Sequence, residues 1–168
     1  MDRDSTELER RLALFVEARH DADASAAADL LLELGDGIAV ALVRRLEGLA
    51  TLQRRHAVAI ARRLGRRPGL RLLQALLRCG ENTIENEVLA ALADFGDVEA
   101  LSLLLRWLCD NGDEAQRAVV VDALAHLHAS LEADHSKALL AELDGDLLSS
   151  VASELESSGE GLEALRRD

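Results

Sequence analysis

Apolar residues recur every three or four positions through residues 82–127, and short polar breaks interrupt them, as expected for consecutive amphipathic helices. The segment reads NTIENEVLAALADF, GD, VEALSLLLRWLC, DNGD and EAQRAVVVDALAHL. The same periodicity predicts helices over 5–20, 24–34, 38–47, 51–64, 83–95, 97–109, 114–131 and 136–143, and a further helix with Pro68 in its first turn that ends at Cys79. No run alternates with the period of a strand, so the sequence predicts an all-α protein.

One of these breaks recurs at a fixed interval. Gly35-Asp36, Gly65-Arg66 and Gly96-Asp97 are separated by 30 and then 31 residues. A period of this length predicts a stacked array of repeats, an α-solenoid, rather than an irregular bundle. The predicted antiparallel helix pairs are 24–48, 51–79, 83–109 and 114–143. We therefore expect a single domain over 1–168, with an N-terminal capping helix in 1–23, repeats in 24–144, and closing helices in 145–168 that fray towards the end.

The stretch EVLAALADFGDVEALSLLLRWLCDNGDEAQRAVVVDALAHL resembles HEAT-like repeats of the type first recognised in phycobilin lyases. In that pattern a helix ends in Leu or Phe followed by Gly-Asp, the next helix has an Ala-Leu-rich face, and an acidic turn precedes an Arg. The corresponding residues are Phe95, Gly96, Asp97, Ala100, Leu101, Leu104, Asp110, Asp113 and Arg117. With a looser match over 24–50 and 51–80, the resemblance covers roughly 24–144 and implies four HEAT-like helix pairs. Most such repeats are binding scaffolds, and a few are lyases, hydroxylases or DNA glycosylases.

Charge is distributed unevenly along the chain, whose net charge is −12. Residues 1–43 carry a net charge of −6 and residues 79–168 a net charge of −15. Between them, residues 44–78 carry ten arginines and one acid, a net charge of +9, and we call this segment the basic belt. The acidic total argues against general nucleic-acid binding, since such binding depends on cationic contacts to phosphates.

The residues that could support catalysis do not form a recognisable constellation. The five histidines, none of them followed by Glu, are His20, His56, His126, His128 and His135. There is no Walker-type loop, and the two cysteines, Cys79 and Cys109, are expected to lie too far apart for a disulfide. We therefore predict no catalytic residue, no metal and no cofactor. A DNA-glycosylase activity is also disfavoured, because the chain has only three aromatic residues to stack on bases.

The sequence also bears on location. No apolar stretch approaches the roughly 20 residues that span a bilayer. The N-terminus MDRDSTELERR is polar and acidic, unlike a signal or transit peptide. We therefore expect a cytoplasmic protein that does not insert into membranes.

The basic belt contains the candidate binding surface. In HEAT-like arrays the second helix of each pair usually lines the concave side. Alignment by the glycine breaks places Arg45, Ala75 and Arg106 in register, and Arg71, Gln74 and Arg78 on one helix face. The predicted protein-binding residues are Arg45, Arg71, Gln74, Arg78, Arg106 and Trp107. Two alternatives stay open: the arginines pair with the chain's own acids, and Trp107 belongs to the core.

The function expected from these patterns is a non-catalytic scaffold or adaptor that grips an acidic segment of another protein. Guanidinium groups suit this role because they bind carboxylates through two parallel hydrogen bonds. One alternative is a HEAT-type enzyme such as a bilin-lyase-like protein. Another is head-to-tail self-association into a homo-oligomer, in which the acidic C-terminal third meets the basic belt of the next copy.

Overall fold

The computed structural model describes residues 3–80, 82–95, 99–100, 102–104 and 107. Within these residues the chain is helical and contains no strand, which confirms the all-α class for this part of the protein. The elements are α1 (Arg3–Glu17), α2 (Asp21–Leu32), α3 (Ile38–Val43), a 3-10 helix (Leu46–Gly48), α4 (Thr51–Arg63), α5 (Arg66–Arg78) and α6 (Asn82–Phe95). The predicted helix pair 114–143 and the closing segment 145–168 lie outside the described residues.

Glycine ends α2 by adopting a conformation that other residues avoid. Gly35 has a φ of 77°, in the left-handed region where a Cβ is disfavoured. Its N–H donates to the carbonyl of Leu32 at 3.1 Å, and the N–H of Leu34 donates to the carbonyl of Leu31 at 3.0 Å. These bonds satisfy carbonyls that the last helical turn leaves open, so the chain can turn towards α3.

Two helix boundaries in the basic belt differ from the prediction. α3 ends at Val43 rather than near Glu47, and a turn at 44–45 leads into the 3-10 helix. α5 begins at Arg66, two residues before Pro68. Pro68 is compatible with this earlier start because the first-turn N–H groups have no partner inside the helix.

The described residues fall into two compact units, divided between Ala91 and Leu92. In the first unit α1 packs on α2 and α4 packs on α5. In addition α2 packs on α4, and α3 packs on α5. The largest fully buried side chains of this unit are Leu12, Phe15, Leu31, Ile38, Leu42, Ile60, Leu72, Leu73, Leu76, Ile84 and Leu89. Helices α1 to α5 thus bury their apolar stripes against neighbouring helices, since no stripe is covered by its own helix.

Arg11 joins α1 to α2. Its Nε donates to Glu7 Oε1 at 2.6 Å, and its Nη1 donates to Glu33 Oε2 at 2.8 Å and also to the carbonyl of Leu30. Glu7 also accepts two hydrogen bonds from Arg10. The hydrogen bonds from Arg10 and Arg11 lower the pKa of Glu7 from 4.5 to about 2.

A buried amide connects the end of α1 to α4. Gln53 is only 3% exposed, and its Nε2 donates to the carbonyl of Ala18 at 2.6 Å. Ala18 follows α1, where a carbonyl has no partner within the helix. The side chain of Gln53 therefore satisfies a buried acceptor that the backbone leaves open.

No helix in the described part of the chain is long and apolar enough to cross a membrane.

Candidate protein-binding groove

An open groove of about 630 Å³ runs between α3 and α5. We call it the α3–α5 groove. Its α3 wall includes Ala39, Val40 and Val43, and its α5 wall consists of Arg67, Pro68, Arg71, Gln74, Ala75 and Arg78. The break before α3 contributes Asp36 and Gly37. All of these residues belong to the first compact unit.

The α5 wall is basic because of how this helix is oriented in the core. Leu70, Leu73 and Leu76 are buried, so the opposite side of α5 faces away from the core. That side carries Arg67, Arg71, Gln74 and Arg78, at relative positions i, i+4, i+7 and i+11. A helix rises 1.5 Å per residue, so this row extends about 16 Å along α5.

The α3 wall is apolar and partly open to water. Val40 is 48% exposed and Val43 is 37% exposed. They lie three residues apart on one side of α3, whereas Ile38 and Leu42 are buried against the core. The groove therefore combines an aliphatic wall with a basic wall.

The arginines of the α5 wall differ from those elsewhere in the chain. Arginines that pair with carboxylates of this chain include Arg10, Arg11, Arg45, Arg55 and Arg63. In contrast, Arg67, Arg71 and Arg78 form no ion pair or hydrogen bond within the described residues. Among the described residues, no acid of the chain therefore pairs with Arg71 or Arg78 of the predicted surface, nor with Arg67 beside them.

One carboxylate lies at the end of the groove where α5 begins. Asp36 Oδ1 accepts a hydrogen bond from the backbone N–H of Gly65 at 3.3 Å. Gly65 immediately precedes α5, so this bond links the break before α3 to the start of α5. With one carboxylate against three guanidinium groups, the groove lining has a net positive charge.

The structure brings Arg71, Gln74 and Arg78 together on one wall, as the spacing predicts. Arg45 lies elsewhere, in a neighbouring pocket of about 470 Å³ between α1 and α3, where its Nη2 donates to Glu9. It leaves the expected face because α3 ends at Val43, so Arg45 sits in a turn rather than on a continuing helix. Arg106 lies outside the described residues.

Trp107 belongs to the second unit and is 7% exposed. An interface anchor needs a ring that a partner can reach, whereas a core tryptophan is covered by its own chain. The observed burial favours the core alternative for this residue.

The groove residues that were not among the predicted binding residues include Arg67, Val40 and Val43. The sequence places Pro68 in the first turn of this helix but does not show that the helix already includes Arg67. Its spacing of four residues from Arg71 is the signal that places it on the same face once the helix starts at Arg66. The valines carry no such signal, because periodicity does not show which apolar residues a neighbouring helix leaves uncovered.

The described residues contain no group of three or more His, Cys, Asp or Glu side chains placed to hold a metal ion. No family model, curated protein or solved structure matches the chain.

Proposed function

We propose that this protein is a non-catalytic scaffold of stacked HEAT-like helix pairs that holds an acidic segment of a partner protein in the α3–α5 groove. The observation that carries the proposal is the row formed by Arg67, Arg71 and Arg78. These side chains line an accessible groove without an ion-pair partner in the described residues, on a chain whose net charge is −12.

The helix packing supports the repeat architecture in this proposal. The first helices of two successive pairs, α2 and α4, pack on each other, and so do the second helices, α3 and α5. Adjacent repeats of an α-solenoid have this arrangement, because each repeat buries its apolar faces against the next. The groove lies between the second helices, where HEAT-like arrays usually bind their partners.

The chemistry of the α5 wall supports an acidic partner. A guanidinium group donates two parallel hydrogen bonds to one carboxylate, and such charge-assisted bonds are stronger than neutral ones. Along the helix axis Arg67 and Arg71 are about 6 Å apart, and Arg71 and Arg78 about 10 Å apart. A segment with several Asp or Glu residues meets these groups at more than one point, which a single small anion does not.

The groups in the groove favour binding over catalysis. Its polar side chains are guanidinium groups, one amide and one carboxylate. That carboxylate, Asp36, accepts the N–H of Gly65. The α5 wall thus presents a row of guanidinium hydrogen-bond donors. Covalent catalysis requires a different arrangement, in which a nucleophile lies beside a general base.

The test uses a double charge reversal, Arg71→Glu with Arg78→Glu. Its control, Arg62→Glu with Arg63→Glu, changes the net charge equally at exposed positions at the end of α4, outside the groove. Wild type and both variants serve as baits in lysate of the organism that makes the protein, and bound proteins are identified by mass spectrometry. We expect the groove variant to lose partners that the control variant retains.

Association and dissociation rates measured with a purified partner then distinguish direct contacts from long-range electrostatic steering. The groove variant should dissociate faster, because direct contacts are lost. The control variant should associate more slowly at low salt and dissociate as wild type does, because distant charges act mainly on encounter. A groove variant that folds and binds as wild type at low salt would show that the partner does not use this groove.

A further inference from the structure

The two walls of the α3–α5 groove are complementary to two different kinds of chemical group in a ligand. Val40 and Val43 are among five large apolar side chains that are exposed in the described chain, and these two share one groove. The α5 wall, with Arg67, Arg71 and Arg78, lines the same groove. An aliphatic wall and a row of guanidinium groups that pair with no described residue therefore form one continuous concave surface.

We propose that the segment bound in the groove is acidic and aliphatic, with Leu, Ile or Val side chains seated on Val40 and Val43 and with carboxylates directed at Arg71 and Arg78. This rests on the proposed function and names the chemistry of the partner. The occupant is a short segment of another protein, recognised along two edges at once.

Neither half of this chemistry is sufficient alone. Ion pairs between exposed groups contribute little, because water solvates both charges well. A purely acidic segment would therefore bind weakly and leave Val40 and Val43 exposed to water. A purely apolar segment would remove water from the guanidinium groups without giving them an acceptor, which is costly. A segment with both features gains apolar burial and places its carboxylates where the apolar contact excludes water.

The dimensions of the groove set the size of the occupant. The basic row is about 16 Å long, which corresponds to about five residues of extended chain or about eleven residues of helix. The volume of about 630 Å³ suits side chains from one segment rather than a folded domain. A free phosphate or small carboxylate would reach one guanidinium but would not cover the valines.

The first experiment selects ligands without assuming their sequence. A display library of random 12-residue peptides is selected on the full-length wild-type protein, with depletion on the Arg71→Glu/Arg78→Glu variant. We expect the surviving peptides to be enriched in Asp or Glu and, in the same clones, in Leu, Ile or Val. Enrichment for acids alone would overturn the inference and leave the proposed function standing. A selection in which no clone depends on Arg71 and Arg78 would overturn both.

The second experiment measures both contributions with matched peptides. The best peptide is compared, by fluorescence anisotropy, with one version in which its aliphatic residues are Ser and another in which its acids are the corresponding amides. Each change should weaken binding about tenfold or more, as expected when buried methyl groups or charge-assisted bonds are lost. Equal affinity for the serine version would contradict the inference.

The aliphatic wall is tested with Val40→Thr combined with Val43→Thr, which keeps the shape of both side chains. The control is Val16→Thr, a valine on α1 that is 38% exposed and lies outside the groove. We expect about tenfold weaker binding for the double variant and unchanged binding for the control. Because both positions are partly exposed, circular dichroism should show native helix content. Wild-type affinity in the folded double variant would overturn the inference. Displacement of the peptide by inorganic phosphate at concentrations near the dissociation constant of the peptide would also overturn it.

Discussion

Asp36 and Gly65 are in contact across two successive helix pairs. Asp36 Oδ1 accepts the Gly65 N–H at 3.3 Å, and a Cβ added at Gly65 would lie 3.1 Å from Asp36 Oδ2. The carboxylate thus occupies the space that a side chain at position 65 would need. Two breaks that recur 30 residues apart in the sequence are therefore joined in the structure.

This contact predicts a measurable coupling between the two positions. Gly65→Ala should displace the carboxylate and cost roughly 0.5–1 kcal/mol, and Asp36→Ala should cost a similar amount through the lost hydrogen bond. In the Asp36→Ala background the Gly65→Ala change should cost less, because the obstructing atoms are gone. Urea unfolding of the four proteins measures this difference. Additive effects would show that the two positions are not energetically coupled and would contradict this explanation. Gly48→Ala, where no atom lies within 4 Å of an added Cβ, serves as the control.

The left-handed conformation at Gly35 makes a second prediction. No atom lies within 4 Å of a Cβ built at this position, so Gly35→Ala causes no clash. The substitution should still destabilise the protein by about 1–2 kcal/mol, because a φ of 77° is unfavourable for a residue with a Cβ. Thermal unfolding of this variant, compared with that of Gly48→Ala, isolates the conformational cost. Equal melting temperatures for the two variants would contradict the explanation.

The buried amide of Gln53 provides a third prediction. Gln53→Met keeps the approximate shape of the side chain and removes the donor to Ala18, so a buried carbonyl loses its partner. We expect a loss of about 1–3 kcal/mol in the free energy of unfolding. The control, Gln74→Met, alters a half-buried glutamine in the groove and should change stability by no more than about 0.5 kcal/mol. Chemical denaturation measures the free energy of unfolding of both variants. Similar losses in the two variants would show that the hydrogen bond from Gln53 does not stabilise the fold.

The lowered pKa of Glu7 predicts the direction of a pH effect. Because the folded-state pKa is about 2 and the usual value is 4.5, the folded protein holds this carboxylate ionised where the unfolded chain takes up a proton. Its contribution to stability is complete above about pH 4.5 and is lost as the pH falls towards 2. The free energy of unfolding, measured with denaturant from pH 6 to pH 2, should therefore decrease less steeply for Glu7→Gln than for wild type. Parallel curves would show that the ion pairs of Glu7 with Arg10 and Arg11 do not contribute.

The helices of the basic belt could be predicted because their periodicity is a local property of the sequence. The face carrying Arg71, Gln74 and Arg78 follows from spacing alone, once the leucines of α5 are assigned to the core. The position of Arg45 does not follow, because the early end of α3 depends on how the chain packs after Val43. Local spacing determines a helix face, whereas tertiary packing determines where that helix ends.

The recurring glycines illustrate the same limit. Alignment treats Gly35 and Gly65 as equivalent, yet Gly35 has a φ of 77° and Gly65 a φ of −56°. The recurrence identifies where the connections lie, but not their conformation. Burial is similarly underdetermined: Phe15 and Val16 are adjacent apolar residues of α1, yet Phe15 is fully buried and Val16 is 38% exposed. A stripe shows which residues could be covered, and the neighbouring helix decides which of them are.

The distribution of ion pairs has a consequence for selectivity. Arginines such as Arg10, Arg45 and Arg63 lie against carboxylates of their own chain, which neutralise them locally. Since the net charge of the chain is −12, an approaching polyanion experiences overall repulsion and is attracted only at short range, where arginines lack a carboxylate. We therefore expect the net negative charge of the chain to reduce indiscriminate binding of polyanions.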